Sequence, residues 1–253
     1  MNIQIPQTYS DLTREQRKEL CYILLTSINE ENSLDSDIPF YIIKLLLLHL
    51  PKRTQQKVLN EVPFSTLWQY AEPFLSTEKL YHFPDITKMV APAPRLANLT
   101  IKQFSVADSI YYRLRLSQFK DETLLRQLTA SLYCFKDKPF DILELPQVAE
   151  QTDKEDIKTA YEVAFAYTCC REYIISKFPK VFSSPNPSQK GEKPVFRKEA
   201  TYTPFSKIIS VMAMDQYQPL GNWHQCNATR VYDFFEVMTE SMIQTEKNNN
   251  LKK

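Results

Sequence analysis

Two glycines in 253 residues, Gly191 and Gly221, are the tightest constraint this sequence places on its own fold. Glycine-rich turns cradle phosphates because only glycine lets the backbone approach so closely. With two glycines far apart, the phosphate loop GxxxxGK[ST], the dinucleotide fingerprint GxGxxG and the nucleophile elbow GxSxG are all excluded. Prolines do the punctuating instead: there are 16, and the segments between them carry helical spacing. With 43% hydrophobic residues and a net charge of +1, the chain can bury a core and is no disordered polymer.

Thr13-Arg-Glu-Gln16 has the form of a capping box, and Leu20, Ile23, Leu24 and Ile28 follow at one-face spacing. Asp37 and Pro39 open a second helix that Pro51 closes. The apolar run from Ile38 to Leu50 falls short of the roughly 20 residues a membrane span requires, so it reads as a buried helix. Shorter helices are expected over Gln55 to Glu61 and Ser65 to Ala71. From Glu72 to Asn98 the period breaks under Pro73, Pro84, Pro92 and Pro94, as a linker, arm or binding loop would. The opening signal returns at Leu99-Thr100-Ile-Lys-Gln103, with Phe104 placed for a hydrophobic staple to Leu99. We read this as a shared capping signal in preference to a diverged duplication.

Further helices are expected from Asp121 (inner face Leu124, Leu125, Leu128, Leu132), from Asp153 to Phe178, and from Thr203-Pro204 to Met214. A last helix is expected from Asn227, with Val231, Phe234, Phe235, Met238 and Met242 as its stripe and a frayed polar tail. Ser183 to Thr203 reads as a loop with a short strand at Pro194 to Phe196. The predicted fold is all-α, an irregular multi-helix bundle with two long Pro-rich loops. Its divisions are an N-terminal helical unit (1–75), a Pro-rich linker or arm (76–98) and a C-terminal helical domain (99–247).

Chemistry finds little to work with. His224-x-Cys226 is the one His/Cys pair close in sequence, and zinc needs three or four such ligands. His49 ends an apolar helix, and His82 lies in the Pro-rich segment. Glu30-Glu31 and Glu155-Asp156 are adjacent residues that diverge on a helix and make no acid pair. Five cysteines, odd in number and two of them adjacent, outline no disulfide framework and suit a reducing cytoplasm. The opening residues show no signal-peptide pattern. A net charge of +1 does not suit nucleic-acid binding, and the one basic excess (Lys190, Lys193, Arg197, Lys198) is diluted by Glu192 and Glu199. Tyr111-Tyr112-Arg113-Leu114-Arg115 spreads around a helix and forms no single platform.

Several segments together resemble proteins from the tail-assembly regions of phages and prophages of Bacteroidetes. They are Leu99-Thr100-x-x-Gln103-Phe104-x-x-Ala107-Asp108, then Leu125-x-x-Leu128-x-x-x-Leu132-Tyr133, then Lys177-Phe178-Pro179-x-Val181-Phe182. Phe205-x-x-Ile208-Ile209, Tyr217-x-x-Leu220-Gly221 and the N-terminal Tyr9-x-Asp11-Leu12-Thr13-x-x-Gln16 complete the set. The resemblance implies a helical, non-enzymatic accessory protein with no cofactor and no metal. It would act like a tail-assembly chaperone on other phage tail or virion proteins, in the host cytoplasm or the virion. A structural virion component is the alternative, and a metal-dependent or nucleic-acid-binding protein a more distant one. The residues expected to meet a partner are Tyr81, Phe83 and Met89 in the Pro-rich segment, and Tyr217 and Trp223 in the turn before the last helices.

Overall fold

A computed structural model describes residues 4–27, 37–76, 78–182 and 202–251. Among these residues the chain is all-α, with twelve α-helices and one antiparallel ribbon of two residues per strand. The first four helices are α1 (Arg14–Thr26), α2 (Ile38–Leu46), α3 (Lys52–Glu61) and α4 (Phe64–Ser76). Next come α5 (Ile101–Leu116), α6 (Glu122–Leu132), α7 (Leu145–Thr152) and α8 (Ile157–Lys177). The chain ends with α9 (Pro179–Phe182), α10 (Phe205–Met214), α11 (Trp223–Ala228) and α12 (Val231–Leu251). The ribbon pairs β1 (Met89–Val90) with β2 (Cys134–Phe135). The expected strand at Pro194 to Phe196, Gly191 and the Lys190 to Lys198 patch lie outside the described residues.

The caps behave unequally. Thr13 accepts from Gln16 N at 3.2 Å while Gln16 Oε1 accepts from Thr13 N at 3.1 Å, a complete box. Thr100 also caps, accepting from Gln103 N at 3.3 Å. The Gln103 side chain, however, turns inward and donates to the Ser131 and Leu132 carbonyls. The two openings thus share a cap and no more.

Several boundaries differ from the sequence expectation: α2 stops at Leu46, short of Pro51, and α4 runs on through Pro73 to Ser76. Helix α7 is additional, launched by Asp141 accepting from Leu143 N and by a 3-10 turn with Pro146 in the first turn that follows. Helix α8 starts at Ile157, with Asp156 as its cap. The last helix begins at Val231, not Asn227: Asn222 caps the short α11, and Thr229 is extended. There the chain pairs with the start of α5, through Ile101 N to Thr229 O at 2.8 Å and Val231 N to Leu99 O at 3.0 Å. The polar tail continues α12 as helix to Leu251 instead of fraying.

One hydrophobic core runs from Tyr9 to Phe235. Helix α1 lies along α8, where Tyr22 meets Tyr161 edge-on at 5.0 Å. Tyr9 packs on Phe74 and Phe165. The Pro-rich segment crosses this core as largely extended chain, with Leu80, Phe83, Ile86 and Leu96 buried. At the other end Phe235 is a hub, its ring 5.3–5.7 Å from those of Phe104, Phe178, Phe182 and Phe205. So α12 seats on α5 and α9 and reaches α10 through Phe205.

Glycine scarcity shows in the backbone. Lys88, Arg95, Leu96, Gln118, Phe119, Asp137 and Gln218 all have positive φ, each at a cost of about 1 kcal/mol or more. At Arg95-Leu96 this corner drops Leu96 fully into the core. It also holds the Arg95 guanidinium 4.6 Å from the Tyr173 ring and 4.9 Å from that of Tyr81.

Candidate functional site

Helix α10 is amphipathic. Phe205, Ile209, Met212 and Ala213 face the core, while Val211 and Met214 on the other face are 68% and 83% exposed. The turn that follows is built tightly. Asp215 accepts from Tyr217 N, Gly221 N donates to Gln218 O at 2.8 Å, and Gly221 takes φ +78°. A side chain on Gly221 would also strike Gln225, whose side-chain Oε1 accepts from Asn222 N and closes the capping box. This turn presents Tyr217 at 85% exposure and Trp223 at 49%. Residues 211–223 therefore carry four large apolar or aromatic side chains in solvent on a braced corner. Scattered single exposures are ordinary on any surface, and four within this one stretch make it the candidate contact surface.

The other expected partner residues lie elsewhere. Phe83 is buried in the core. Tyr81 is half-buried, with its ring against Tyr173 and Arg95. Met89 is half-buried in β1 opposite Phe135. His224 is exposed, whereas Cys226 is buried and its thiol donates to the Gly221 carbonyl, so the pair shares no ligand position. His49 Nδ1 sits 2.9 Å from the Leu46 carbonyl, as a helix-end residue does. Among the described residues no group of three His, Cys, Asp or Glu is placed to hold a metal ion. All five cysteines are free thiols, and burial pushes Cys170 up to about 12. No described helix is long and apolar enough to cross a membrane.

Sequence reasoning missed two buried carboxylates, both tied to α8. Asp108 on α5 is wholly buried. Its Oδ1 accepts from Arg171 Nε at 2.5 Å and from the Tyr167 hydroxyl at 3.4 Å; its Oδ2 accepts from the Tyr202 hydroxyl at 3.1 Å. Tyr202 stacks flat on Tyr112 at 4.1 Å. Burial, then the charge of Asp108, pushes both tyrosine hydroxyls well above their usual range. Burial works against the Arg171 charge, but Asp108 outweighs it and the guanidinium is held more firmly protonated.

Glu162 on α8 is the second, only 1% exposed. Its Oε1 accepts from Arg17 Nε of α1 at 2.5 Å, while Oε2 has no hydrogen-bond partner. Burial raises its pKa, with Arg17, Lys18 and Arg14 opposing. Both carboxylates could have been suspected from acidic residues set among apolar neighbours, Ala107-Asp108 and Tyr161-Glu162-Val163.

No protein-family model matches the chain, and no curated protein and no solved structure is significantly similar to it.

Proposed function

We propose that this is a non-catalytic interaction protein of phage tail or virion assembly, and that it holds a partner chain on the α10–α11 corner. One observation carries the docking surface: Val211, Met214, Tyr217 and Trp223 stand exposed on a corner braced by capping bonds and the Gly221 turn. Rigid exposed aromatics are the residues that dominate binding energy at interfaces, because they bury much area with little entropy to lose. The phage setting rests on the sequence resemblance. The partner is accordingly a tail or virion subunit with an apolar face of its own.

With a net charge of +1 there is little long-range steering, so binding should depend weakly on salt. Burying this corner should also give a negative heat-capacity change. Co-expression with phage tail subunits, followed by pull-down at low and high salt, tests the reading. Retention at both salts is expected, and Tyr217→Ala or Trp223→Ala should each weaken binding by about 2 kcal/mol. Absence from mature particles then marks a chaperone, and stable incorporation a structural component. Failure to hold any tail subunit, or full binding by the double variant, overturns the proposal.

A further inference from the structure

A cavity of about 180 Å³ lies between the 3-10 turn Tyr9–Asp11, α1, the extended chain after α4, and the first half of α8. Its polar lining includes Tyr9, Arg17, Glu78, Lys79, His82 and Glu162. Two of these are buried with a polar atom left over: Glu162 Oε2 and the Tyr9 hydroxyl, neither of which has a hydrogen-bond partner. Leaving such a group unpaired costs about 1–3 kcal/mol, more for a charged one, so two at one cavity call for an explanation.

The accounting of charge says what would satisfy them. Arg17 Nε is committed to Glu162 Oε1 at 2.5 Å, and Lys79 points to Glu172 at 3.4 Å. The Glu78 carboxylate, half-buried, makes neither an ion pair nor a hydrogen bond among the described residues. Arg17 and Lys79 are thus each engaged with a carboxylate, Arg17 with Glu162 and Lys79 with Glu172, while Glu162 Oε2, the Glu78 carboxylate and the Tyr9 hydroxyl have no partner among the described residues. A water takes about 30 Å³, and drug-sized ligands need about 300 Å³ or more, so the space suits a ligand of a few heavy atoms.

We propose that this cavity binds a small primary amine as its ammonium ion, with Glu162, Glu78 and the Tyr9 hydroxyl as acceptors. An ammonium carries three donors and no acceptor, which matches three acceptors lacking partners. An anion is disfavoured, since it would meet the unpartnered oxygens of Glu162 and Glu78, with Arg17 and Lys79 already paired to carboxylates. The site is separate from the α10–α11 corner and does not depend on the reading given for that surface.

The test uses the full chain with methylammonium and 1,4-diaminobutane as probes and acetate as the control anion. Binding is read by ligand-observed NMR and by thermal unfolding. Amine signals and a raised midpoint are expected, with none for acetate. Glu78→Gln, at a half-buried position, and Tyr9→Phe, which keeps the ring packed on Phe74 and Phe165, leave the fold intact. Each should weaken amine binding by about tenfold, the ratio that 1.4 kcal/mol represents. No binding of either amine, equal binding by both variants, or acetate binding in place of amine would overturn the proposal.

Discussion

The two buried carboxylates along α8 are solved differently. Asp108 meets Arg171, about 13 Å further along the helix than Glu162 at a 1.5 Å rise per residue. Both are fully desolvated, and each has an arginine at 2.5 Å. Yet Asp108 spends both oxygens, on a guanidinium and two tyrosine hydroxyls, while Glu162 leaves one oxygen with nothing. A closed network of this kind fixes geometry: it ties α5 to α8 and anchors Tyr202, just ahead of α10. An open one is costly to stability and retains an acceptor for something else.

The comparison can be broken from the Asp108 end first. Phe235, the aromatic hub that packs on Phe104, provides the apolar benchmark, and Phe235→Ala should cost roughly 3–5 kcal/mol in a denaturant titration. Asp108→Asn should come close, at about 3 kcal/mol, because Arg171, Tyr167 and Tyr202 all lose their anionic acceptor. If it unfolds at the wild-type midpoint, the network is not structural.

At the other end the effects should be small. Glu162→Gln keeps an amide oxygen for Arg17 Nε and places its NH₂ where nothing was bonded, and Arg17 at 25% exposure can reach water. A change within about 1 kcal/mol at neutral pH is expected. Tyr9→Phe, removing a hydroxyl without a partner, should leave stability unchanged or slightly raised. A loss from Glu162→Gln as large as that from Asp108→Asn would erase the distinction.

Local signals were the legible part of this chain. Thr13, Thr100 and Asp121 cap where their spacing says, because a cap needs only residues within one turn. Of the stripe, Val231, Phe234 and Phe235 are buried as its period implies, while Met238 and Met242 are half-buried. The path of the Pro-rich segment was not legible, since extended chain laid across a core has no period of its own. Leu80, Phe83, Ile86 and Leu96 are buried because of α8 and its neighbours, not because of their spacing. Helix α7 was hidden for a related reason: it is short, and its buried face is only Val148 and Thr152. The docking corner was partly visible in Tyr217 and Trp223. Val211 and Met214 read as core by type, and only packing shows that α10 buries its other face. Glu162 stands out in the sequence only as an acid among apolar neighbours; its pairing with Arg17 in α1, and the meeting of four separate stretches of chain at the amine cavity, have no sequence signature.

The most direct measurement is the stability difference between wild type and Glu162→Gln as a function of pH. With its pKa raised above the ordinary 4.5, Glu162 holds a proton more tightly when folded than when unfolded. Its contribution is fully present below that ordinary value and is lost as pH rises through the raised one. Glutamine does not titrate there, so the variant should gain on the wild type as pH rises from about 4 to 8. A difference that stays flat, or one that moves in favour of the wild type, would mean Glu162 is as fully satisfied as Asp108 and the site beside it is closed.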